Sequence, residues 1–215
     1  MEDILQQIIN GVAKTQPFEI VAVVFGIASV WLSKKENIWV YPVGLVNTVA
    51  YIFISFKYHL FGEAAVNLYY TIVSIYGWFL WARKDNLNRP VIKISFSENK
   101  EWAHHLAFFS AFYLVIYLCL RYLKNEFAPG ALPAADAFAS ATAFTGMWLM
   151  AKKKVESWYW WLATNITSIP LYFVKGLVFT SFYYVILFVL AIAGLIVWRK
   201  KALNDHATQN NRSGA

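Results

Sequence analysis

Of 215 residues, 59% are hydrophobic, 19% aromatic and only 14% charged, and the formal net charge is +7. A soluble domain carries about a quarter charged residues, so this composition excludes an ordinary soluble fold wherever the apolar residues fall in long runs. In such a chain a positive balance reports orientation across a bilayer rather than nucleic-acid binding, and the single cysteine, Cys119, excludes an internal disulfide or a thiolate metal centre.

Within segment 1–16, Ile4, Leu5, Ile8, Ile9 and Val12 recur at helical spacing, which predicts a short interfacial helix. Seven apolar runs follow at about 18–33, 38–57, 61–82, 102–123, 131–151, 157–175 and 177–198. Each is long enough, or nearly so, to cross a hydrocarbon core of roughly 30 Å at about 1.5 Å per residue. The widest gap, 83–101, holds the breakers Asn86, Asn88 and Pro90, and the tail from Asn204 onward is polar and predicted to be disordered.

Basic residues give the orientation. Lys34 and Lys35 follow the first run. Arg83, Lys84, Arg89, Lys93 and Lys100 follow the third, Lys152, Lys153 and Lys154 the fifth, and Arg199, Lys200, Lys201 and Arg212 the seventh. The opposite side holds Lys14, Lys57, Arg121, Lys124 and Lys175. The richer side is predicted to be cytoplasmic, with the N-terminus outside and the C-terminus inside, as an odd number of spans requires.

The halves resemble each other at an offset of about 117 residues. Glu19 and Asp136 precede the pairs Trp31-Leu32 and Trp148-Leu149 at equal distance. Both pairs run into lysines, then into spans carrying Asn47 and Asn165, and Asn47 and Asn165 are followed equally far on by Lys57 and Lys175. The third spans end alike, Gly77 through Lys84 against Gly194 through Lys201. An offset held through three spans predicts duplication. The expected fold is therefore an all-α integral membrane bundle of seven helices in a 3+1+3 parallel repeat, like the SWEET sugar facilitators. Its parts are the interfacial helix 1–16, a first three-helix repeat over 17–84, a cytoplasmic loop and connecting helix over 85–130, a second repeat over 131–201, and the polar cytoplasmic tail 202–215.

Polar side chains inside spans are costly and face the bundle interior. The third run places Glu63, Asn67, Tyr70, Ser74, Trp78 and Trp81 on one helix face, the sixth does the same with Trp158, Trp161, Asn165, Ser168 and Tyr172, and the second with Asn47, Tyr51, Ser55 and Tyr58. Flat rings stack on an aromatic ligand or embrace a cation, and amides hydrogen-bond hydroxyls or a carboxamide. The predicted binding residues are Asn47, Tyr51, Asn67, Tyr70, Ser74, Trp78, Trp158, Trp161, Asn165, Ser168 and Tyr172. The competing structural roles are an aromatic belt for the tryptophans, interhelical hydrogen bonds for the asparagines, and helix capping for Glu19 and Asp136 in place of an acidic mouth. Pro42 and Pro170 are placed where kinks would help a site open and close.

The sequence holds no P-loop, no His-Glu-x-x-His and no Gly-x-Ser-x-Gly, so it predicts neither an enzyme nor a cofactor or metal site. No carboxylate sits in mid-span, which disfavours proton coupling and favours facilitated diffusion. A retinal protein needs a mid-helix lysine in its last span, and 177–198 has none.

Two stretches resemble the PnuC family of bacterial vitamin transporters. One is Glu156-Ser157-Trp158, Trp161, Asn165, Tyr172, Lys175-Gly176-Leu177, Thr180 and Tyr184. The other is Asn67-Leu68-Tyr69-Tyr70 with Ser74-Ile75-Tyr76-Gly77-Trp78 and Trp81. The resemblance runs from about Glu19 to Lys201. It implies a homotrimer in the inner membrane that imports nicotinamide riboside by facilitated diffusion for NAD biosynthesis, with a cytoplasmic kinase trapping the product. It also implies that Asn67, Tyr70, Trp158, Trp161 and Asn165 bind the substrate. Relatives carrying thiamine or riboflavin, and a sugar facilitator of similar architecture, are the alternative substrate classes.

Overall fold

The structure is a computed structural model describing residues 17–57, 61–127 and 132–213. The expected interfacial helix 1–16 and Tyr58 lie outside the described residues, as do the side chains of Glu19, Ser55, Lys57 and Glu63. Among the described residues the chain forms seven α-helices and no strand. They are α1 Pro17–Lys34, α2 Val40–Lys57, α3 Phe61–Ala82, α4 Asn99–Phe127, α5 Pro133–Ala151, α6 Ser157–Val174 and α7 Val178–Ser213. Proline opens α1 and α5, where its missing N–H has no intrahelical acceptor to lose. Gly176, at a φ of 75°, turns the chain between α6 and α7.

Two segments, Asn99–Leu123 in α4 and Val178–Asp205 in α7, have by themselves the length and apolarity of a membrane span. Shorter apolar stretches occupy Val23–Lys34 of α1 and Val40–Phe53 of α2. The polar stripes of α3 and α6 dilute their hydropathy, although α3 still exposes Ile72, Ile75 and Phe79 outward.

The helices close a ring in which α1 packs on α2, α2 on α3, α3 on α5, α5 on α6, α6 on α7 and α7 back on α1, while α4 packs on α5 from outside. The core concentrates at the lysine-rich end, in Val40, Tyr41, Trp81, Ile94, Met150, Val155, Trp158, Ala191, Trp198 and Ala202. Contacts there recur in pairs. Tyr41 meets Trp81 edge-on at 5.2 Å and 86°, and Trp158 meets Trp198 at 5.5 Å and 88°. Gly77 and Gly194 make room for the rings of Tyr41 and Trp158, respectively. Trp81 donates its indole N–H to the Ala151 carbonyl at 3.0 Å, and Trp198 donates to that of Ser33 at 3.1 Å. Ser33 donates to the sulfur of Met150, a residue 117 positions away.

The connection from α3 to α4 is ordered along this end. Asp85 accepts the N–H groups of Leu87 and Arg89 to build a tight turn. Ser95 exchanges backbone hydrogen bonds with Lys153 and Val155 at 3.1 and 3.0 Å, and Ser97 donates its N–H and its hydroxyl to the carboxylate of Glu156. The expectation of disorder beyond Asn204 is corrected: α7 continues to Ser213. No glycine or proline interrupts the chain between Gly194 and Gly214, and Ala202 is buried against the core, so the helix has no local reason to stop.

Candidate binding site

Half-way along α6, Asn165 is 2% exposed, and its side-chain oxygen has no hydrogen-bond partner among the described residues. An amide oxygen buried without a donor costs about 1–3 kcal/mol, so its retention calls for a reason. One turn further, Ser168 is 1% exposed. Ser168 and Tyr172 both lie near the hydroxyl of Tyr184 on α7. The rings of Tyr172 and Tyr184 stack at 5.2 Å and 11°. Tyr183 meets Tyr184 edge-on at 5.6 Å and places its hydroxyl against Gly26 of α1, where a side chain would collide with it.

From the opposite wall, Tyr70 of α3 lies near Tyr69, Tyr183 and Tyr184, and meets Phe144 of α5 at 5.7 Å. Tyr51 of α2 lies near Tyr183. Asn47 and Asn67 are half-buried on α2 and α3. Trp161 is half-buried on α6, one turn before Asn165, with its indole edge 3.3 Å from where a Cβ on Gly146 would stand. The resulting set is rings, hydroxyls and amides drawn from α2, α3, α6 and α7, and none of these side chains is charged.

Two predicted residues, Trp158 and Trp78, stand apart from this set. Trp158 is 1% exposed, clamped between Gly194 and Trp198 in the core of the lysine-rich end, so neither ring face is free for a ligand. Ser74 is buried on α3. Trp78 is 40% exposed and lines a shallow outer groove of about 280 Å³ with Ile75, Phe79 and Ala82. Exposure is not uniform along the stripe: Trp78 faces outward, while Trp81, one turn further, is buried in the core. Sequence reasoning missed Tyr183 and left Tyr184 out of the binding set. Their signal is a pair of adjacent tyrosines in an apolar stretch of the last helix.

Ion pairs tie elements together at the lysine-rich end. Glu36, in the turn after α1, accepts from Lys153 at 2.6 Å and from Lys201 of α7. Glu36 and Lys153 both have positive φ, 56° and 54°. Lys153 also lies 4.7 Å from the Trp81 ring. Burial pushes the Glu36 carboxyl up, but hydrogen bonds from Lys153 and Lys201 and their charges outweigh it and hold the group below its ordinary value. At the other end, Asp136 accepts the Leu132 N–H at 2.7 Å and ion-pairs with Lys175 at 2.6 Å. It thereby ties the start of α5 to the end of α6, the capping role rather than an open acidic mouth.

A family model described as nicotinamide mononucleotide transporter matches residues 16–200. The nicotinamide riboside transporter PnuC of Escherichia coli is 26% identical over 204 residues, covering 86% of this chain and 85% of that protein. The riboflavin/roseoflavin transporter RibM of Streptomyces davaonensis is 26% identical over 188 residues, covering 87% and 86%. A crystal structure of the vitamin B3 transporter PnuC shares the fold, with a TM-score of 0.66 at 24% identity over 94% of this chain and 88% of that one.

Proposed function

The chain belongs to the nicotinamide mononucleotide transporter family of membrane proteins, and from that premise we propose that it imports nicotinamide riboside across the bacterial inner membrane by facilitated diffusion. The observation that carries this reading is the buried oxygen of Asn165, without a partner among the described residues, on the helix face that also carries the stacked Tyr172. A ribosyl hydroxyl or a carboxamide N–H would satisfy the oxygen, and the electron-rich rings suit a cationic pyridinium. A phosphate would need an opposing cation, and the described side chains around Asn165 supply none. The dephosphorylated riboside therefore fits better than the mononucleotide for which the family is named.

Asn165, Trp161, Ser168, Tyr172, Tyr70 and Tyr51, with Asn47 and Asn67, are the proposed contacts, joined by Tyr183 and Tyr184. Trp158 and Trp78 would act at a distance, through packing, and Ser74 lies one turn beyond Tyr70 on the same helix. The recurring contacts of Tyr41–Trp81 and Trp158–Trp198, and the meeting of Ser33 with Met150, support a duplicated 3+1+3 bundle whose halves turn about an axis between them. Crowding of lysines at that end supports a cytoplasmic C-terminus and an external N-terminus. In this reading the Glu36–Lys153 clasp closes the cytoplasmic exit, and release requires it to part. Assembly as a homotrimer and trapping of the product by a cytoplasmic kinase complete the proposal.

The test is fluorescence or calorimetric titration of detergent-purified protein with nicotinamide riboside, its mononucleotide, thiamine, riboflavin and a disaccharide. Saturable binding of the riboside, with the mononucleotide at least about tenfold weaker, is expected, since an uncompensated buried charge is costly. Tight binding of riboflavin instead would move the chain to the substrate class of RibM, and tight thiamine binding would likewise overturn the riboside. Binding of the disaccharide alone would overturn the vitamin reading.

A further inference from the structure

A cleft of about 630 Å³ opens at the lysine-rich end, away from the candidate binding site. It is lined by Tyr76 and Leu80 of α3, by Val91, Ile92, Lys93 and Ser95 of the α3–α4 connection, and by Lys152 and Lys154 of the α5–α6 turn. Its walls differ in chemistry. Tyr76 stacks on Trp148 at 5.3 Å and 10°, and Phe108 of α4 stacks on the same indole at 6.0 Å. That aromatic wall continues onto the exposed apolar surface of Ile75 and Phe79. The other wall is basic. Lys154 is neutralised by Glu101 at 2.7 Å. Lys152 sits 4.4 Å over the Trp148 ring, and among the described residues neither it nor Lys93 has a carboxylate partner.

Two uncompensated ammonium groups facing an apolar wall form an amphipathic receptor. A soluble anion would use the lysines and leave the wall idle. A lipid headgroup would place its phosphate between Lys93 and Lys152 and run its acyl chains down Tyr76 and Leu80. Basic pockets between helices on the cytoplasmic side are a recurring place for anionic headgroups. Tryptophan and tyrosine mark the depth at which the headgroup region begins, and Tyr76 lines this cleft with Trp148 stacked on it. We propose that the cleft is a binding site for an anionic phospholipid of the inner leaflet, with Lys93 and Lys152 holding the phosphate and Tyr76 and Leu80 the acyl chains.

The experiment measures thermal stability of the purified protein in detergent, by loss of the monodisperse size-exclusion peak, with added phosphatidylglycerol, phosphatidylcholine or free glycerol 3-phosphate. Phosphatidylglycerol is expected to raise the melting temperature well above the other two. In a Lys93→Gln/Lys152→Gln protein its half-saturating concentration is expected to rise about thirty-fold, because two surface ammonium groups are lost. A Lys34→Gln/Lys200→Gln protein, with the same change in net charge outside the cleft, should keep the wild-type response. Equal responses to the two lipids, or equal weakening by both double variants, would overturn the site. Stabilisation by glycerol 3-phosphate matching that by phosphatidylglycerol would overturn the lipid as its ligand.

Discussion

Replacing Glu36 by glutamine tests how the lysine-rich end is held. The carboxylate is 15% exposed and Lys153 only 5% exposed, at 2.6 Å. Glutamine keeps the shape but leaves a buried ammonium without a counter-charge, and breaking a buried pair in this way costs about 3–5 kcal/mol. Lys201 is 51% exposed, so Lys201→Ala should cost less than about 1 kcal/mol. Lys153→Met should fall between the two, since Lys201 still accompanies Glu36. The informative variant is the exchange Glu36→Lys/Lys153→Glu. Both positions have positive φ, 56° and 54°, so backbone strain is similar before and after, and the exchanged pair should recover most of the loss, short of the part due to Lys201. The assay is the half-life of the monodisperse, tryptophan-fluorescent protein at a fixed elevated temperature, beside uptake into vesicles. A Glu36→Gln protein as long-lived as wild type, or an exchange no better than either single change, would refute the reasoning. Its pH dependence follows from the depressed carboxyl. The clasp is fully present above the ordinary carboxylate value of 4.5 and is lost as pH falls through the lower folded value. Acidification below that region should therefore shorten the wild-type half-life more than that of Glu36→Gln.

Other expectations are as direct. Asn165→Ala and Trp161→Ala should each weaken substrate binding about ten- to a hundredfold while leaving the size-exclusion profile intact; wild-type affinity in Asn165→Ala would assign that residue to interhelical packing. Gly77→Ala and Gly194→Ala would drive a methyl into the rings of Tyr41 and Trp158, respectively, and each should cost about 1–3 kcal/mol of stability by overpacking. A similar loss from both would match the recurring contacts, and a neutral effect on thermal denaturation would count against the packing described. Tyr184→Phe removes the hydroxyl that lies near Ser168 and Tyr172 and should lower riboside affinity by roughly tenfold or less without unfolding. Uptake into vesicles should persist when a protonophore is added, and its loss would refute facilitated diffusion.

Much of this protein is legible in its sequence because a bilayer leaves little choice. Backbone groups in hydrocarbon must be satisfied within each segment, so long apolar runs become helices, and the observed ends of α2, α3, α5 and α6 fall within a few residues of those expected. The 3.6-residue period likewise places Asn165, Ser168 and Tyr172 on one face of α6 without knowledge of its neighbours. Periodicity cannot say where along a stripe the interior ends. Trp158 and Trp161 are equivalent by spacing. Gly194 and Trp198, distant in sequence, fill one ring's surroundings and leave the other half-buried, and Trp78 shares the stripe of Tyr70 yet faces outward. Tyr183 enters the interior because Gly26 of another helix makes room for it. The clasp of Glu36 with Lys153 likewise depends on what meets across the ring. Local sequence determines which segments are helical and which face of each is polar. Only the packing of those faces decides which polar residues keep a surface for a ligand and which become core.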